Sequence, residues 1–160
     1  MRILVLLFLA FLTIQCQRKT VPTDTATPTG AYSAADRISM RTTACFGRCP
    51  VYEFSIDGTG KATFNGKRFT DRLGNYARTF SASETQALFD AFARANYFDY
   101  EDVYTADVTD LPNRYLSYQT GDRTKQIQLY AEVPDTLRRL EQLVARAALE
   151  TEGWKATEKM

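Results

Sequence analysis

Histidine is absent from this 160-residue chain. That absence removes the commonest general base near neutral pH and the commonest metal ligand, so Ser-His-Asp and Cys-His catalysis and His-bound zinc are excluded. Also missing is any run of the roughly 20 apolar residues that a transmembrane helix needs. Charge is nearly balanced, with 20 Lys and Arg against 19 Asp and Glu, so nothing in the composition offers nucleic acid a basic footprint. No Walker loop, dinucleotide fingerprint or Gly-x-Ser-x-Gly elbow interrupts the chain. Together these gaps leave no recognisable catalytic constellation, and the expectation is a non-enzymatic protein without cofactor or bound metal.

What is present suffices for one domain. Hydrophobic residues make up 44% of the chain, with 10 Phe and 9 Tyr, which is ordinary for a globular protein and excludes a wholly disordered one. At this length a modest core can form without metals or several disulfides.

The N-terminus reads Met1-Arg2 and then an almost wholly apolar stretch from Ile3 to Ile14, a positive end followed by the short hydrophobic segment of a signal peptide. The stretch ends in Leu12-Thr13-Ile14-Gln15-Cys16, which resembles the lipobox of bacterial lipoproteins. The resemblance implies that residues 1–15 are removed and that Cys16 carries a lipid. Gln17 is not the Asp that retains lipoproteins at the inner membrane of enteric bacteria, so the expected location is the outer membrane, facing the periplasm or the cell surface. The membrane is then a partner through Cys16 alone. Loss of Arg2 leaves 19 basic against 19 acidic residues, so the domain adds no electrostatic attraction to anionic lipid.

Residues 17–36 are rich in Thr, Ala and Pro without apolar periodicity, and read as a flexible tether with a span of roughly 25 Å. Asp24-Thr25-Ala26 also fits the short Asp-Thr-small pattern glycosylated in some Bacteroidota, although a Thr- and Ala-rich tether contains such triplets without modification. The expected organisation is a signal peptide over 1–15, a lipidated Cys and tether over 16–37, one domain over 38–154, and a disordered tail over 155–160.

Within the domain, Tyr52, Phe54 and Ile56 alternate with polar neighbours as a half-buried strand. Asp57-Gly58-Thr59-Gly60 supplies a turn, Ala62 and Phe64 continue the apolar face, and Asn65-Gly66 closes the hairpin. A third strand is expected over Tyr76 to Phe80. Ser81 and Glu84 have capping-box spacing, followed by a helical stripe of Leu88, Phe89, Phe92 and Ala95. Tyr115 to Gln119 and Lys125 to Tyr130 flank a second hairpin turn. A last helix from Pro134 turns Leu137, Leu140, Val144 and Ala147 inward and leaves Arg138, Arg139, Glu141 and Arg146 to solvent. The order βββαββα predicts an α+β domain: a small antiparallel sheet of about five strands with both helices on one face.

The densest local feature is Cys45-Phe46-Gly47-Arg48-Cys49-Pro50-Val51-Tyr52, directly before the first expected strand. In an exported protein this pair most simply forms a disulfide, which leaves Cys16 free for lipid. Two alternatives stand beside it, a Cu(I) site and a redox-active dithiol, so thiol-based redox or copper handling by Cys45 and Cys49 remains the other functional reading. With Asp57-Gly58, Gly74-x-Tyr76, Ser81-x-x-Glu84, Asp110-Leu111-Pro112, Pro134-x-x-Leu137-x-x-Leu140 and Trp154, the string resembles a family of uncharacterised bacterial lipoproteins. Their domain of unknown function is built around Cys-Phe-Gly-x-Cys-Pro-x-Tyr. The resemblance covers roughly residues 38 to 154 and implies no activity.

Acidic residues at Asp99, Glu101, Asp102, Asp107 and Asp110 fit no EF-hand spacing and read as a solvated loop. Phe46 and Arg48, with the aromatics from Tyr97 to Tyr104, are the candidate contact surface for an envelope protein or ligand that no residue here identifies, since aromatic and Arg side chains concentrate at interfaces. The anchor assignment is directly checkable. Cys16→Ala should abolish labelling of the chain by a clickable fatty acid and stop processing after Gln15, whereas unchanged labelling would refute it.

Overall fold

The computed structural model describes residues 32–158. The expected signal peptide, Cys16 and the Asp24-Thr25-Ala26 triplet lie outside the described residues. The order of elements is β1 (Arg37–Thr42), β2 (Val51–Asp57), β3 (Lys61–Arg68), β4 (Gly74–Thr79), α1 (Ala82–Arg94), a 3-10 turn at Tyr97–Asp99, β5 (Val103–Tyr104), β6 (Arg114–Thr120), β7 (Arg123–Leu129), α2 (Asp135–Leu149) and β8 (Lys155–Ala156).

The fold is α+β with two helices, but the expected five-stranded antiparallel sheet is instead one mixed sheet of eight strands, in the order β5-β7-β6-β1-β2-β3-β4-β8. Three strands account for the difference. β1 is short, and its apolar positions Ile38 and Met40 lie between Arg and Ser residues that dilute the period-two signal; it nevertheless occupies the centre, antiparallel to both β2 and β6. β5 and β8 are two residues each, too short for any periodicity. β5 runs parallel to β7, which makes the sheet mixed.

The β2–β3 hairpin forms because Asp57 Oδ1 accepts hydrogen bonds from Thr59 N (2.9 Å), Thr59 Oγ1 (2.6 Å) and Lys61 N (3.1 Å). Asn65-Gly66 is not a turn; it lies inside β3. A Cβ on Gly66 would come within 1.8 Å of the Arg72 carbonyl oxygen, so glycine is needed there for close approach of the β3–β4 connection. α1 starts with the expected capping box: Ser81 Oγ accepts from Glu84 N (3.2 Å), and Glu84 Oε2 accepts from Ser81 N (2.8 Å). Hydrogen bonds donated to the Glu84 carboxylate by the Ser81 hydroxyl (2.7 Å) and by Ser81 N hold the carboxyl below its ordinary value.

Alternate residues of the central strands, among them Ile38, Phe54, Phe64, Leu116 and Ile127, are buried in one core cluster with Leu88, Phe89 and Phe92 of α1 and Leu137, Leu140 and Val144 of α2. In the last turn of α2 Ala148, rather than Ala147, is the fully buried alanine. Glu141, expected at the surface, is 15% exposed, and its Oε1 lies 3.0 Å from Arg114 Nε. Burial raises its carboxyl above the ordinary value, against the attraction of Arg114 and Arg138.

The packed region begins earlier than residue 38. Tyr32 stacks on Phe89 with ring centroids 4.7 Å apart and donates to Asp90 Oδ1 at 2.8 Å. At the other limit, Trp154 packs on Phe54, Phe64 and Phe80 and leads into β8, inside the stretch expected to be a tail. Residues 32–36 and 155–156 are therefore part of the fold. Asp36 ties the N-terminal turn to two hairpins. Its carboxylate accepts from Ser33 N (2.7 Å), Ser33 Oγ (2.8 Å) and Gly121 N (3.2 Å), and its carbonyl accepts from Gly58 N (3.0 Å).

Burial pushes the Asp36 carboxyl up, but hydrogen bonds from Ser33, Thr120 and Gly121 outweigh it and hold the group below its ordinary value. A lowered carboxylate contributes stability that is complete above the unfolded value of about 3.9 and lost as pH falls through the lower folded one. Asp36→Asn should cost roughly 1 to 3 kcal/mol near pH 7. Urea denaturation across pH should show the gap between wild type and variant narrowing below about pH 4; a constant gap would contradict the assignment.

Candidate functional site

The connection between β1 and β2 is a knuckle closed by a disulfide between Cys45 and Cys49, with Cα atoms 5.8 Å apart. Its base is pinned by Thr42, whose Oγ1 donates to the Pro50 carbonyl (2.7 Å) and accepts from Tyr52 N (3.0 Å). Its flank is pinned by the loop before β6: Thr43 N donates to Asn113 O (3.0 Å), Asn113 N to Thr43 Oγ1 (2.9 Å), and Phe46 N to Asp110 O (3.3 Å). Asp110 adopts a left-handed φ of 71°, a conformation that Asp tolerates in turns.

A loop held this firmly presents Phe46 outward, 89% exposed. Arg48 is also exposed, and its guanidinium lies 5.2 Å from the ring of Phe69 in the β3–β4 connection; Arg68 lies 5.0 Å from the same ring. Leu73 in that connection and Leu111 beside the knuckle are exposed as well. The strand registers place all three connections at one end of the sheet, which forms an apolar and basic rim. Arg48 is thus brought together with Phe69, a residue that sequence reasoning missed because only strand pairing makes it a neighbour, and Phe46 lies at the same end of the sheet. The aromatics from Tyr97 to Tyr104 do not join them. Tyr97 is 1% exposed and donates to the Leu116 carbonyl, and Phe98, Tyr100 and Tyr104 pack against the core.

A second feature had no sequence signal. The sheet face opposite the helices carries an open depression of about 1010 Å³. Strand register sets one transverse row across it, Gln126-Ser117-Ser39-Ser55-Thr63-Ala77, and beside that a second, Tyr115-Arg41-Glu53-Asn65-Asn75. Arg37 Nη1 donates to Ser55 Oγ (3.0 Å), Asn65 Nδ2 to Asn75 Oδ1 (2.8 Å) and Gln126 Nε2 to Ser117 Oγ (3.2 Å). The Arg41 guanidinium stacks 4.0 Å from the Tyr115 ring centroid. The acidic loop is dispersed: Asp102 pairs with Lys125 at 3.0 Å, and no three Cys, Asp or Glu side chains converge as metal ligands among the described residues. Nor is any helix there long and apolar enough to cross a membrane.

The family model of DUF6438, a domain of unknown function, matches residues 36–148. This chain belongs to that family. The matched span of the DUF6438 domain runs from Asp36 through the knuckle and open face to Ala148 in the last turn of α2, and stops short of Trp154 and β8. No curated protein matches the chain.

In this DUF6438 domain the disulfide ring lies outside the core, so its loss should loosen the knuckle without unfolding the sheet. Cys45→Ser with Cys49→Ser should lower unfolding free energy by roughly 2 kcal/mol, as expected for a short closed loop. Denaturant titration gives the value. A double variant that fails to fold would make the ring part of the core architecture.

Proposed function

We propose that the protein is a non-enzymatic binding module of the bacterial cell envelope, anchored by a lipid on Cys16 in the outer membrane, and that its knuckle rim contacts a partner protein. The observation that carries this reading is the display of Phe46. A large apolar side chain 89% exposed on a loop fixed by a disulfide and backbone bonds is a preformed anchor, and binding through it requires little further ordering. Arg48, Arg68 and Phe69 at the same end of the sheet have the Arg and aromatic composition enriched at interfaces.

Topology agrees with such a role. The described chain begins at the Asp36 end of the sheet, and β1 carries the backbone across to the knuckle, a distance of roughly 20 Å for a strand of this length. A tethered domain can therefore turn its rim away from the attachment point. The non-enzymatic part of the reading rests on the absence of His and on the engagement of Cys45 and Cys49 with each other.

A photo-crosslinking residue at position 46 in cells should give a discrete protein adduct that is absent when the crosslinker sits at Asp122, in the turn at the far end of the sheet. Phe46→Ala with Arg48→Ala should weaken recovery of that adduct from a neighbouring crosslinker at position 69 by at least about tenfold, the effect of losing one interface anchor. Adducts at Asp122 and none at Phe46 would remove the rim from consideration.

A further inference from the structure

Five of the six large apolar side chains that stand exposed among the described residues belong to the knuckle end of the sheet: Phe46, Phe69, Leu73, Val108 and Leu111. Single exposed apolar residues are ordinary on a surface, whereas a cluster of them marks a contact site. Charge around this cluster is polarised. On the β3 side of the knuckle Arg48 and Arg68 share the Phe69 ring, and neither has a carboxylate within ion-pair distance among the described residues. Asp71 in the same connection is offset by Arg72, whose Nη2 is turned to the Ala148 and Leu149 carbonyls.

On the β6 side the connection from Thr105 to Asn113 carries Asp107 and Asp110 and no basic residue. Glu132, exposed beyond it, adds a third carboxylate, while Arg114 and Arg138 there are engaged by Glu141 and Asp135. The strands run in the order β6-β1-β2-β3, so the start of β6 and the end of β3 lie on opposite sides of the knuckle. Each is about one and a half strand spacings, roughly 7 Å, from its midline. The rim is therefore acidic on one flank, apolar at the centre and basic on the other flank.

We propose that the partner at this rim is a second copy of the chain, docked end to end about a two-fold axis that passes beside Phe46 along the sheet normal. The inference rests on the rim reading above and names its partner. Rotation about the normal exchanges the two flanks, so the acidic side of each copy meets the basic side of the other and both contacts form at once. An axis lying across the strands would set acid against acid and base against base, which like-charge repulsion disfavours. The outward Phe46 side chains then meet near the axis as an aromatic pair. A polyanion or an acidic membrane surface would satisfy the arginines but be repelled by Asp107 and Asp110 beside them.

The test is photo-crosslinking in cells from a benzoylphenylalanine in place of Phe46, with copies of the full chain coexpressed under two epitope tags. Wild-type flanks should give an adduct at twice the chain's mass that carries both tags. Arg48→Glu with Arg68→Glu should reduce it at least about tenfold, and so should Asp107→Lys with Asp110→Asn, because like charges then face each other at both contacts. Asn is chosen at position 110 because it tolerates the left-handed backbone there. Coexpression of the two double variants, one under each tag, should restore the adduct, since every reversed flank then meets its opposite. Circular dichroism identifies a variant that fails to fold; Arg48→Glu alone, on the exposed loop, then decides by the same loss. The dimer is overturned if no adduct carries both tags, if the adduct survives either reversal, or if two folded variants fail to restore it. An adduct with a different protein in its place overturns the dimer and leaves the rim a contact surface, whereas absence of any adduct at position 46 removes the rim reading as well.

Discussion

Everything in this fold hangs on the central position of β1. The first strand is flanked on one side by β2 and on the other by β6, so the β2–β3–β4 meander and the β6–β7 hairpin become one sheet only through it. Ile38 and Met40 then lie at the middle of the core, while Arg37, Ser39 and Arg41 point to the middle of the open face. Asp36 secures one end of this strand to the turns at Gly58 and Gly121, and Thr42 secures the other to Pro50 and Tyr52. Two features derive from that placement: the knuckle is the loop into which β1 runs, and the open face of the sheet is centred on the strand's outward side chains.

Local chemistry was legible in the sequence, and long-range assembly was not. The β2–β3 and β6–β7 hairpins announced themselves through period-two alternation and turn residues, α1 through Ser81 and Glu84, and α2 through its apolar stripe. Each is specified within at most 18 consecutive residues. β1 escaped because two apolar residues between polar ones are too little pattern, and β5 and β8 because two residues have no pattern at all. Glu141 was misplaced because its partner, Arg114, belongs to a distant strand. Of the candidate site, Cys45, Phe46, Arg48 and Cys49 could be read because they are contiguous. Phe69 and the polar rows of the open face could not, since strand register alone makes them neighbours.

The two faces of the sheet show how one alternating sequence serves two ends. Inward residues are Ile, Phe, Leu and Tyr that pack under the helices, and outward ones are mainly Ser, Thr, Asn, Gln, Arg, Lys and Glu, several of them linked by hydrogen bonds or, for Lys67 and Glu53, an ion pair. An uncovered sheet usually needs charge to stay apart from its neighbours. Here the short edge strands leave little backbone exposed for pairing with another molecule, and Arg37, Arg41, Lys61 and Lys67 add positive charge to the open face.

A first strand in the middle of a sheet also governs the order in which the chain can fold. Thr42 pairs with Arg114 and Arg37 with Gln119, so during synthesis β1 must wait for most of the domain before its second neighbour exists. Until then Ile38 and Met40 have half their sheet, and α2, which closes the core over them, comes later still. Contacts this distant in sequence slow folding, typically to the millisecond-to-second range for sheet-rich domains. Early unions such as the Asp57 turn and the α1 cap therefore serve as local nuclei that persist while the rest of the chain arrives.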